Sequence, residues 1–513
     1  MESNVGYNPA PNIRNWERVV FLLFIFTLPL EHVAKRFTIP GCGNSISQYF
    51  MFVGIILYLY EYLKYKFKVP KCLLSFIVIY TCWQLFCLAA GLVYYQYPQY
   101  LTIDPTTKIA AIDAVLKNKG IILDSLSLNK TWQFFRFSRE ILFNGNTAFF
   151  VVVWILHLYG GDFHKAFRDI QKPVLCMVIV MCLYSVVELL WLKFQISWTE
   201  SFLTTVNPYL YDIGSVNHWW PPLLWRNQLR SITAEPSFFG YYSVFYLPFL
   251  WSLLFESKVK IQSVVLLAFF SLMIAATNAR TALVLTILEC AFFICSAAVI
   301  RKKAYFKRVA LIILIMTLGF GINLIKPVGI KTSTDDNSVE AYITQNVVSV
   351  GKQDSRSNSA RLANLIAYVK VAIDYPITGV GRGLSSAYVD ARLPEFSYTN
   401  DEVRNWSRDM HHQGVLKSGF PALNIYANIA ATSGFVGLIL FLFPYFYVVV
   451  VSFKFRSILF QDPSFLVILG CMLTLLAAGF SNTFNGGTRG VILGLIFAKL
   501  LYCKETNKNV SLH

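Results

Sequence analysis

The sequence predicts an all-helical membrane protein with about twelve transmembrane helices and a large, partly helical loop outside the membrane. The first observation is composition: 56% of the 513 residues are hydrophobic and only 14% are charged, with a mean hydropathy of +0.52. The second is that apolar runs of about 20 residues, long enough to cross a bilayer, recur along the chain. The third is that basic residues flank every second loop, as alternating transmembrane helices require. An ordinary soluble fold does not carry this much apolar sequence.

The apolar runs fall into two groups separated by the loop at residues 326–423. Nine lie within residues 1–325: Trp16–Lys35, Gln48–Tyr65, Cys72–Tyr95, Phe134–Tyr159, Pro173–Phe194, Pro236–Glu256, Ile261–Thr277, Thr281–Ile300 and Val309–Ile325. Three lie within residues 424–513: Ile425–Val451, Ser464–Phe480 and Val491–Cys503. The chain is therefore divided into a bundle of nine spans, an outer loop and a final bundle of three spans with a tail.

Basic residues set the predicted orientation, because Lys and Arg beside short loops stay in the cytoplasm. They cluster near Lys64, Lys165, Lys258, Arg301, Lys454 and Lys504. Both termini are therefore predicted to be cytoplasmic, and the longer loops near 96–133, 195–235 and 326–423 to face the periplasm of a bacterial inner membrane. The net charge of +17 then reflects topology and attraction to anionic headgroups, and no separate basic domain indicates nucleic-acid binding.

The N-terminus and the cysteines are consistent with a protein that keeps its first span. Met1–Asn15 lacks the features of a removable signal peptide, so we expect that span to remain as an anchor. The ten cysteines lie almost wholly in or beside spans, and no Cys-x-x-Cys spacing occurs. We predict no metal site and no cofactor.

The outer loops contain some helical pattern. Ser357–Tyr375 has apolar residues at helical spacing, which predicts a helix lying against the outer face of the bundle. Ile109–Leu116 is mildly amphipathic. Asp335–Gln353 and Glu395–Lys417 are polar and poor in pattern, and we expect mobile segments there.

Several classes of protein are excluded by missing motifs. The chain has no phosphate-cradling Gly-x-x-x-x-Gly-Lys-Ser/Thr loop of an ATP-driven pump, and no cytoplasmic domain with metal-binding acids for using soluble nucleotide sugars. Energy for covalent chemistry must then arrive with the substrate, and a lipid-linked diphosphate is its usual form outside a cell membrane. Guanidinium groups bind such phosphates with two hydrogen bonds and a permanent charge.

Charged motifs occur at the outer ends of the spans, where charge is costly and usually retained for function. RNQLRSITAEPSFFG runs from Arg226 to Gly240, immediately before and into the sixth span. Asn278-Ala-Arg280-Thr281 forms the turn between two spans. Arg361 and the segment YPITGVGRG, from Tyr375 to Gly383, lie in the large loop.

In order and topology these segments resemble the O-antigen polymerase and O-antigen ligase superfamily, whose members join lipid-diphosphate-linked glycans on the periplasmic face. The resemblance covers about Arg226 to Gly437. In the ligase pattern a His-Asn pair is followed after nine residues by Gly-x-x-Gly. Here Leu423 precedes Asn424, while Gly434 and Gly437 keep the spacing. The absent histidine favours a polymerase.

The resemblance implies that one polyprenyl (undecaprenyl) diphosphate-linked oligosaccharide donates its chain to a second, releasing polyprenyl diphosphate. We expect Glu235, Arg280 and His412 to be catalytic, with Glu235 as the base and His412 as its substitute. We expect the diphosphate and glycan to be bound by Arg230, Arg361, Arg136, Arg139, Arg226, His411, Asn424 and Arg489. Arginines can stabilise the charge that grows on the leaving phosphate, so no metal is required. Membrane lipids and a chain-length regulator are the further partners considered.

Each of these residues also has a structural interpretation. Arg280 can cap a helix end, Arg230 can pair with Glu235, and Arg361 can be a solvated residue of its helix. The remaining arginines at outer span ends can reach lipid headgroups. The glycines of YPITGVGRG are most simply turn residues.

Two other functions fit the same topology. A flippase for lipid-linked oligosaccharides also has about twelve spans and cationic residues, although those should line a cavity open to both sides. Transferases that use polyprenyl-phosphate sugars typically have a pair of acids in the first outer loop, and Phe37–Ser47 has none.

Overall fold

A computed structural model describes the chain at residues 11–39, 43–65, 70–102, 107–213, 221–255, 258–325, 356–415, 417–481 and 486–510. Over these described residues the fold is all-helical, with 79% of them in helices. Within the described ranges there is no β-strand, and the one isolated bridge joins Ile39 to Gly43. The predicted fold class is confirmed.

The structure contains eighteen described α-helices of six residues or more. In chain order they are α1 (Pro11–Phe26), α2 (Ile46–Tyr65), α3 (Lys71–Val93), α4 (Thr107–Asn118), α5 (Ser125–Glu140), α6 (Thr147–Tyr159), α7 (Phe163–Phe194), α8 (Ser197–Leu210), α9 (Pro236–Ser252), α10 (Ile261–Ala276), α11 (Arg280–Ile300), α12 (Lys303–Ile325), α13 (Arg356–Asp374), α14 (Ser385–Asp390), α15 (Asp401–Gln413), α16 (Ile425–Lys454), α17 (Pro463–Ala478) and α18 (Gly486–Val510). Short helices at Gln99–Thr102 and Arg456–Leu459, a π-helical turn at Ile141–Gly145 and 3₁₀ turns at Lys35–Phe37, Leu253–Phe255 and Glu395–Thr399 complete the described elements.

Eight of the described helices are long and apolar enough to cross a membrane: α2, α3, α7, α9 with its following turn, α11, α12, α16 and α18. The number is nine if α5 with its π turn and α6, which meet at a bend of 40°, form one span. Helices α10 and α17 are apolar but shorter. Each of the twelve predicted spans overlaps a helix, but the count of twelve is not confirmed. The protein is a multi-pass membrane protein.

Two hydrophobic clusters organise the described residues. The larger is the core of the bundle, where Trp154, Phe245 and Trp251 are almost fully buried. The smaller lies in what we call the cap, which comprises α4, α5 and residues 356–423 and packs on the outer ends of α3 and α16. Ala363 and Leu384 are completely buried there. The cap thus has its own apolar core, continuous with the ends of two bundle helices.

The predicted helix at Ser357–Tyr375 is confirmed as α13, and the amphipathic stretch Ile109–Leu116 lies within α4. The expectation of a mobile segment at Glu395–Lys417 is wrong, because α15 occupies most of it. This helix buries only Val403 and Met410 and starts from a cap by the Asn400 side chain, so its apolar pattern is sparse. The other segment expected to be mobile, Asp335–Gln353, lies outside the described residues.

Candidate functional site

A cavity of about 610 Å³ lies between the cap and the bundle, and we call it the central cavity. Its volume is in the range of small-ligand sites. Ser47 and Gln48, at the first turn of α2, line it, whereas Lys64 lies at the other end of that helix. In α18, likewise, Arg489 lines the cavity and Lys504 lies more than three turns away. The cavity is therefore at the end of the bundle opposite these basic ends.

Two arginines from distant parts of the chain line the central cavity. Arg382 follows the cap helix α13, and Arg489 lies in the first turn of α18. The Nε atom of Arg382 is 3.7 Å from Oε2 of Glu140, which also lines the cavity. The guanidinium of Arg489 lies 5.1 Å from the ring centre of Phe441. Two permanent positive charges thus border one space, an arrangement suited to a polyanion.

The loop that carries Arg382 is fixed by main-chain bonds to a break in α16. Helix α16 is interrupted at Gly434, whose φ is +69°. Before the break, the carbonyl of Ala431 accepts a hydrogen bond from Val380 N at 2.9 Å, and the carbonyl of Thr432 accepts one from Gly381 N at 3.0 Å. A Cβ at position 434 would lie 1.9 Å from the carbonyl oxygen of Ile377, so only glycine fits. Gly379, Gly381 and Gly383 have φ of +62°, +88° and +77°, so their interpretation as turn residues agrees with the structure.

An acid and an imidazole reach the central cavity from the turn after α1. Glu31 and His32 both line it. The ring of His32 stacks on Phe238 with 5.8 Å between centroids, and its Nδ1 is 3.0 Å from Nδ2 of Asn44. Burial lowers the pKa of His32 from its ordinary 6.5, and the charge of Asp212 opposes that shift. The imidazole is therefore neutral near pH 7 and able to accept a proton.

Three of the arginines and amides predicted from sequence lie at or beside the central cavity. Arg489 lines it directly. Arg361 Nη1 donates to the carbonyl of Ser481 at 3.0 Å, and the hydroxyl of Ser481 is 3.1 Å from that of Tyr241, a lining residue. The side chain of Asn424 accepts from the amides of the first turn of α16 and donates to the carbonyl of Phe480 at 3.1 Å. Arg361 and Asn424 thus hold the 480–481 turn at the rim.

Arg230 lies in a different environment, which we call the buried junction. Its exposed fraction is 1%, and its Nη1 and Nη2 donate to the carbonyls of Pro222 and Leu223, each at 2.8 Å. Its guanidinium carbon is 4.1 Å from the ring centre of Tyr211. The carboxylate of Glu188 accepts from the amides of Arg230 and the following serine, at 3.2 and 2.7 Å. The Arg230 side chain does not line the central cavity.

The other predicted residues of the RNQLRSITAEPSFFG motif and its neighbouring turn also lie away from the cavity lining. Glu235 precedes α9 and accepts a hydrogen bond from Ser237 Oγ at 2.8 Å. Arg226 is exposed. Leu229 N donates to Ala276 O at 3.0 Å, which joins the segment of Arg226 to the turn that precedes Arg280. The segment that carries Arg226 therefore lies beside the turn before Arg280.

Four predicted residues are exposed on the cap. Arg136 and Arg139 lie on α5, and the guanidinium of Arg136 is 5.3 Å from the ring centre of Phe137. His411 and His412 lie on α15 and line a separate hollow on its surface. The Nε2 atom of His411 is 2.7 Å from Oδ2 of Asp390. The structure does not bring these histidines to the central cavity.

Sequence reasoning gave no role to Glu31, His32, Glu140 or Arg382. The first two were placed inside the predicted span Trp16–Lys35, but α1 ends at Phe26. Pro29, two residues before Glu31, was the signal that could have ended the span earlier, because proline cannot continue a helix hydrogen-bond ladder. Arg382 was treated as part of a glycine turn.

Comparison with known families matches residues 264–442 to the family described as O-antigen ligase. The match covers about a third of the chain and includes Arg280, Arg361 and Arg382. No curated protein matches the chain, and no solved structure does. The match supports a glycosyl-transferring enzyme in a membrane. The resemblance of the chain to the O-antigen polymerase and ligase superfamily is therefore confirmed over residues 264–442.

Proposed function

We propose that the protein is a polymerase that joins polyprenyl-diphosphate-linked oligosaccharide repeats into a long surface polysaccharide in the central cavity. The observation that carries this proposal is the convergence of Arg382 and Arg489 with Glu31 and His32 around about 610 Å³ of space. The cavity lies at the end of the bundle opposite the basic loops, which favours a periplasmic site in a bacterial inner membrane. Undecaprenyl diphosphate is the expected carrier, and a chain-length regulator the expected protein partner.

The two arginines would bind the diphosphate of the donor. Negative charge increases on the leaving phosphate as the bond to the anomeric carbon breaks. Cations already fixed in place stabilise that charge without reorganising. Arg382 is fixed by the main-chain bonds of its loop, and Arg489 by its place in the first turn of α18. These side chains supply the charge stabilisation, so the reaction needs no added divalent metal.

The attacking group would be a hydroxyl of the acceptor glycan. Its oxygen bonds to the anomeric carbon, the carbon–oxygen bond to the diphosphate breaks, and the hydroxyl proton passes to a base. Glu31 is the first choice for that base because it lines the cavity, with neutral His32 beside it. Glu235, the choice from sequence, and His412, its substitute, remain the alternatives to be tested. Arg280 does not line the central cavity, so in this proposal it has no direct contact with the diphosphate.

A ligase is the second candidate, favoured by the description of the matched family. The same donor chemistry would apply, and the acceptor would be the outer sugar of a lipid-anchored core in place of a second repeat. The position before Asn424 holds leucine, whereas His32 supplies an imidazole to the cavity from another part of the chain. Acceptor choice therefore separates the two functions.

The test uses purified full-length protein in detergent with a short lipid-diphosphate-linked repeat unit, with and without a lipid-anchored core glycan. A polymerase forms a ladder of products from the repeat alone, and a ligase modifies only the core. Arg382→Ala and Glu31→Gln should abolish the ladder, while Arg408→Ala, which removes an exposed arginine of α15, should keep it. Transport of the intact lipid across vesicles without any new glycosidic bond would overturn the proposal in favour of a flippase.

A further inference from the structure

A second polar cluster lies inside the bundle, far from the central cavity. Glu17 of α1, Glu61 of α2 and His157 of α6 each offer one ligand atom, and these atoms lie within 4.8 Å of one another. Both glutamates are fully buried. Glu61 follows Met51, which lines the cavity, by ten positions in the same helix, which is about 15 Å at the rise of an α-helix. We call these residues the three-helix cluster.

The distances within the three-helix cluster fit a metal ion. The Nε2 atom of His157 is 3.0 Å from Oε2 of Glu61 and 3.3 Å from Oε2 of Glu17. Ligands of tetrahedral zinc at bond lengths near 2.05 Å are separated by about 3.4 Å. The two distances from His157 are close to that value, and all three ligand atoms lie within 4.8 Å of one another.

A positive partner would lower the cost of burying Glu17. Its carboxylate is fully buried, and a buried charge is very costly unless a cation or several donors lie beside it. The nearest cationic side chain in sequence, Arg18, forms an ion pair with Asp169. A divalent cation would balance both carboxylates with a neutral histidine.

The hydrogen bonding of Glu17 is an independent observation. Apart from the imidazole nitrogen at 3.3 Å, neither oxygen of its carboxylate has a hydrogen-bond donor in the part of the chain that the structure describes. Buried carboxylates are ordinarily satisfied by several donors. One oxygen of Glu17 nevertheless lies within 4.8 Å of ligand atoms on two other helices, as a metal-binding carboxylate would.

We propose that Glu17, Glu61 and His157 bind one divalent transition-metal ion that links α1, α2 and α6. Mixed carboxylate and imidazole ligands suit zinc and manganese. Burial inside the bundle favours a structural ion, and because the three side chains supply only three ligands, a water molecule would fill the fourth position of a tetrahedral ion. Helix α6 begins at Thr147, which lines the central cavity, and ends beside the cluster. The ion would fix the inner end of a helix whose outer end borders the cavity.

The test is elemental analysis of full-length protein purified without chelator and without a polyhistidine tag. We expect about one zinc or manganese per chain, and at least a fivefold loss of that metal in Glu17→Gln and in His157→Ala. Glu289→Gln is the matched control, because it removes another fully buried carboxylate, in α11, outside the cluster. It should retain the metal.

Thermal unfolding of the wild-type protein gives a second readout that does not depend on the variants folding. Prolonged dialysis against a chelator should lower the midpoint by several degrees, and added Zn²⁺ or Mn²⁺ should restore it. Metal-free wild-type protein whose midpoint responds to neither ion would overturn the proposal. A cluster held together by protons would then be the explanation, and Glu17→Gln would be as stable as the wild type.

Discussion

The buried junction and the central cavity both contain arginines, but their surroundings differ. Arg230 is fully buried, and both of its terminal nitrogens donate to carbonyls of its own loop. Arg382 and Arg489 border about 610 Å³ of open space. The guanidinium of Arg230 stabilises its own loop through hydrogen bonds. Those of Arg382 and Arg489 border a space that a substrate can fill. A charged motif therefore indicates function only when the space around its charge is known.

The largest expected effect is a loss of stability when the arginine of the buried junction is removed, which is not expected for the arginines of the central cavity. Arg230→Ala removes a buried cation and leaves two loop carbonyls and the nearby Glu188 without it, which should cost about 3–5 kcal/mol. The measurement is thermal unfolding in detergent, with Arg226→Ala as an exposed control that should change stability by less than about 0.5 kcal/mol. An Arg230→Ala protein as stable as wild type but inactive would place Arg230 in substrate binding.

A reduction in activity without loss of stability is expected for the central cavity. Arg489→Ala should lower turnover by about 10² to 10³, the usual cost of removing one preorganised group that stabilises transition-state charge. Thermal midpoints should stay near that of wild type. The ladder assay measures the effect, and Arg408→Ala is the control for loss of a surface charge. Normal ladders from Arg489→Ala would exclude the cavity as the diphosphate site.

A smaller effect is expected at the rim. Arg361→Ala removes one hydrogen bond to the carbonyl of Ser481, and it should reduce turnover about tenfold, which is about 1.4 kcal/mol. The effect should appear in the Michaelis constant for the lipid-linked repeat as well as in turnover, because the turn at the rim moves. Arg361→Lys keeps the charge and should recover part of the activity. Equal loss in both variants would show that a bidentate contact with substrate is needed.

The smallest effect concerns pH. Because the pKa of His32 is lowered in the folded protein, the unfolded chain binds its proton more readily. Its contribution to stability is therefore complete above the ordinary value of 6.5 and is lost as pH falls through the lower folded value. Between about pH 8 and about pH 5, the free energy of unfolding should fall more for wild type than for His32→Gln, by about 1 kcal/mol or less. Thermal midpoints measured across this pH range report the difference. Identical profiles would contradict a buried, neutral His32.

The helical fold was predictable because lipid-facing helices carry long apolar runs. Helix α15 was missed because it buries only two apolar side chains and depends on a polar cap. The number of spans was not settled by hydropathy, since α10 and α17 are apolar but short. Local pattern thus predicts a helix when its burial is extensive, and fails when a few tertiary contacts hold the helix.

The candidate site was predictable only in part. Arg489 and Arg361 were selected from span ends and motifs, and the structure places both at the cavity or its rim. Glu31, Arg382 and Arg489 come from segments more than a hundred residues apart. Their meeting depends on how the cap docks on the bundle, which no local pattern records. The three-helix cluster was not predicted from the sequence for the same reason, since each of its residues lies on a different helix.

The break in α16 at Gly434 has a mechanical consequence. Three main-chain hydrogen bonds, from Val380, Gly381 and Phe435, fasten the cap to this point, and no side-chain substitution removes a main-chain donor except one to proline. The cap is thus clamped at one edge. If the cavity opens to admit a bulky glycan, the cap must move at its other contacts with the bundle. The distance between the loop of Arg382 and α16 would stay constant.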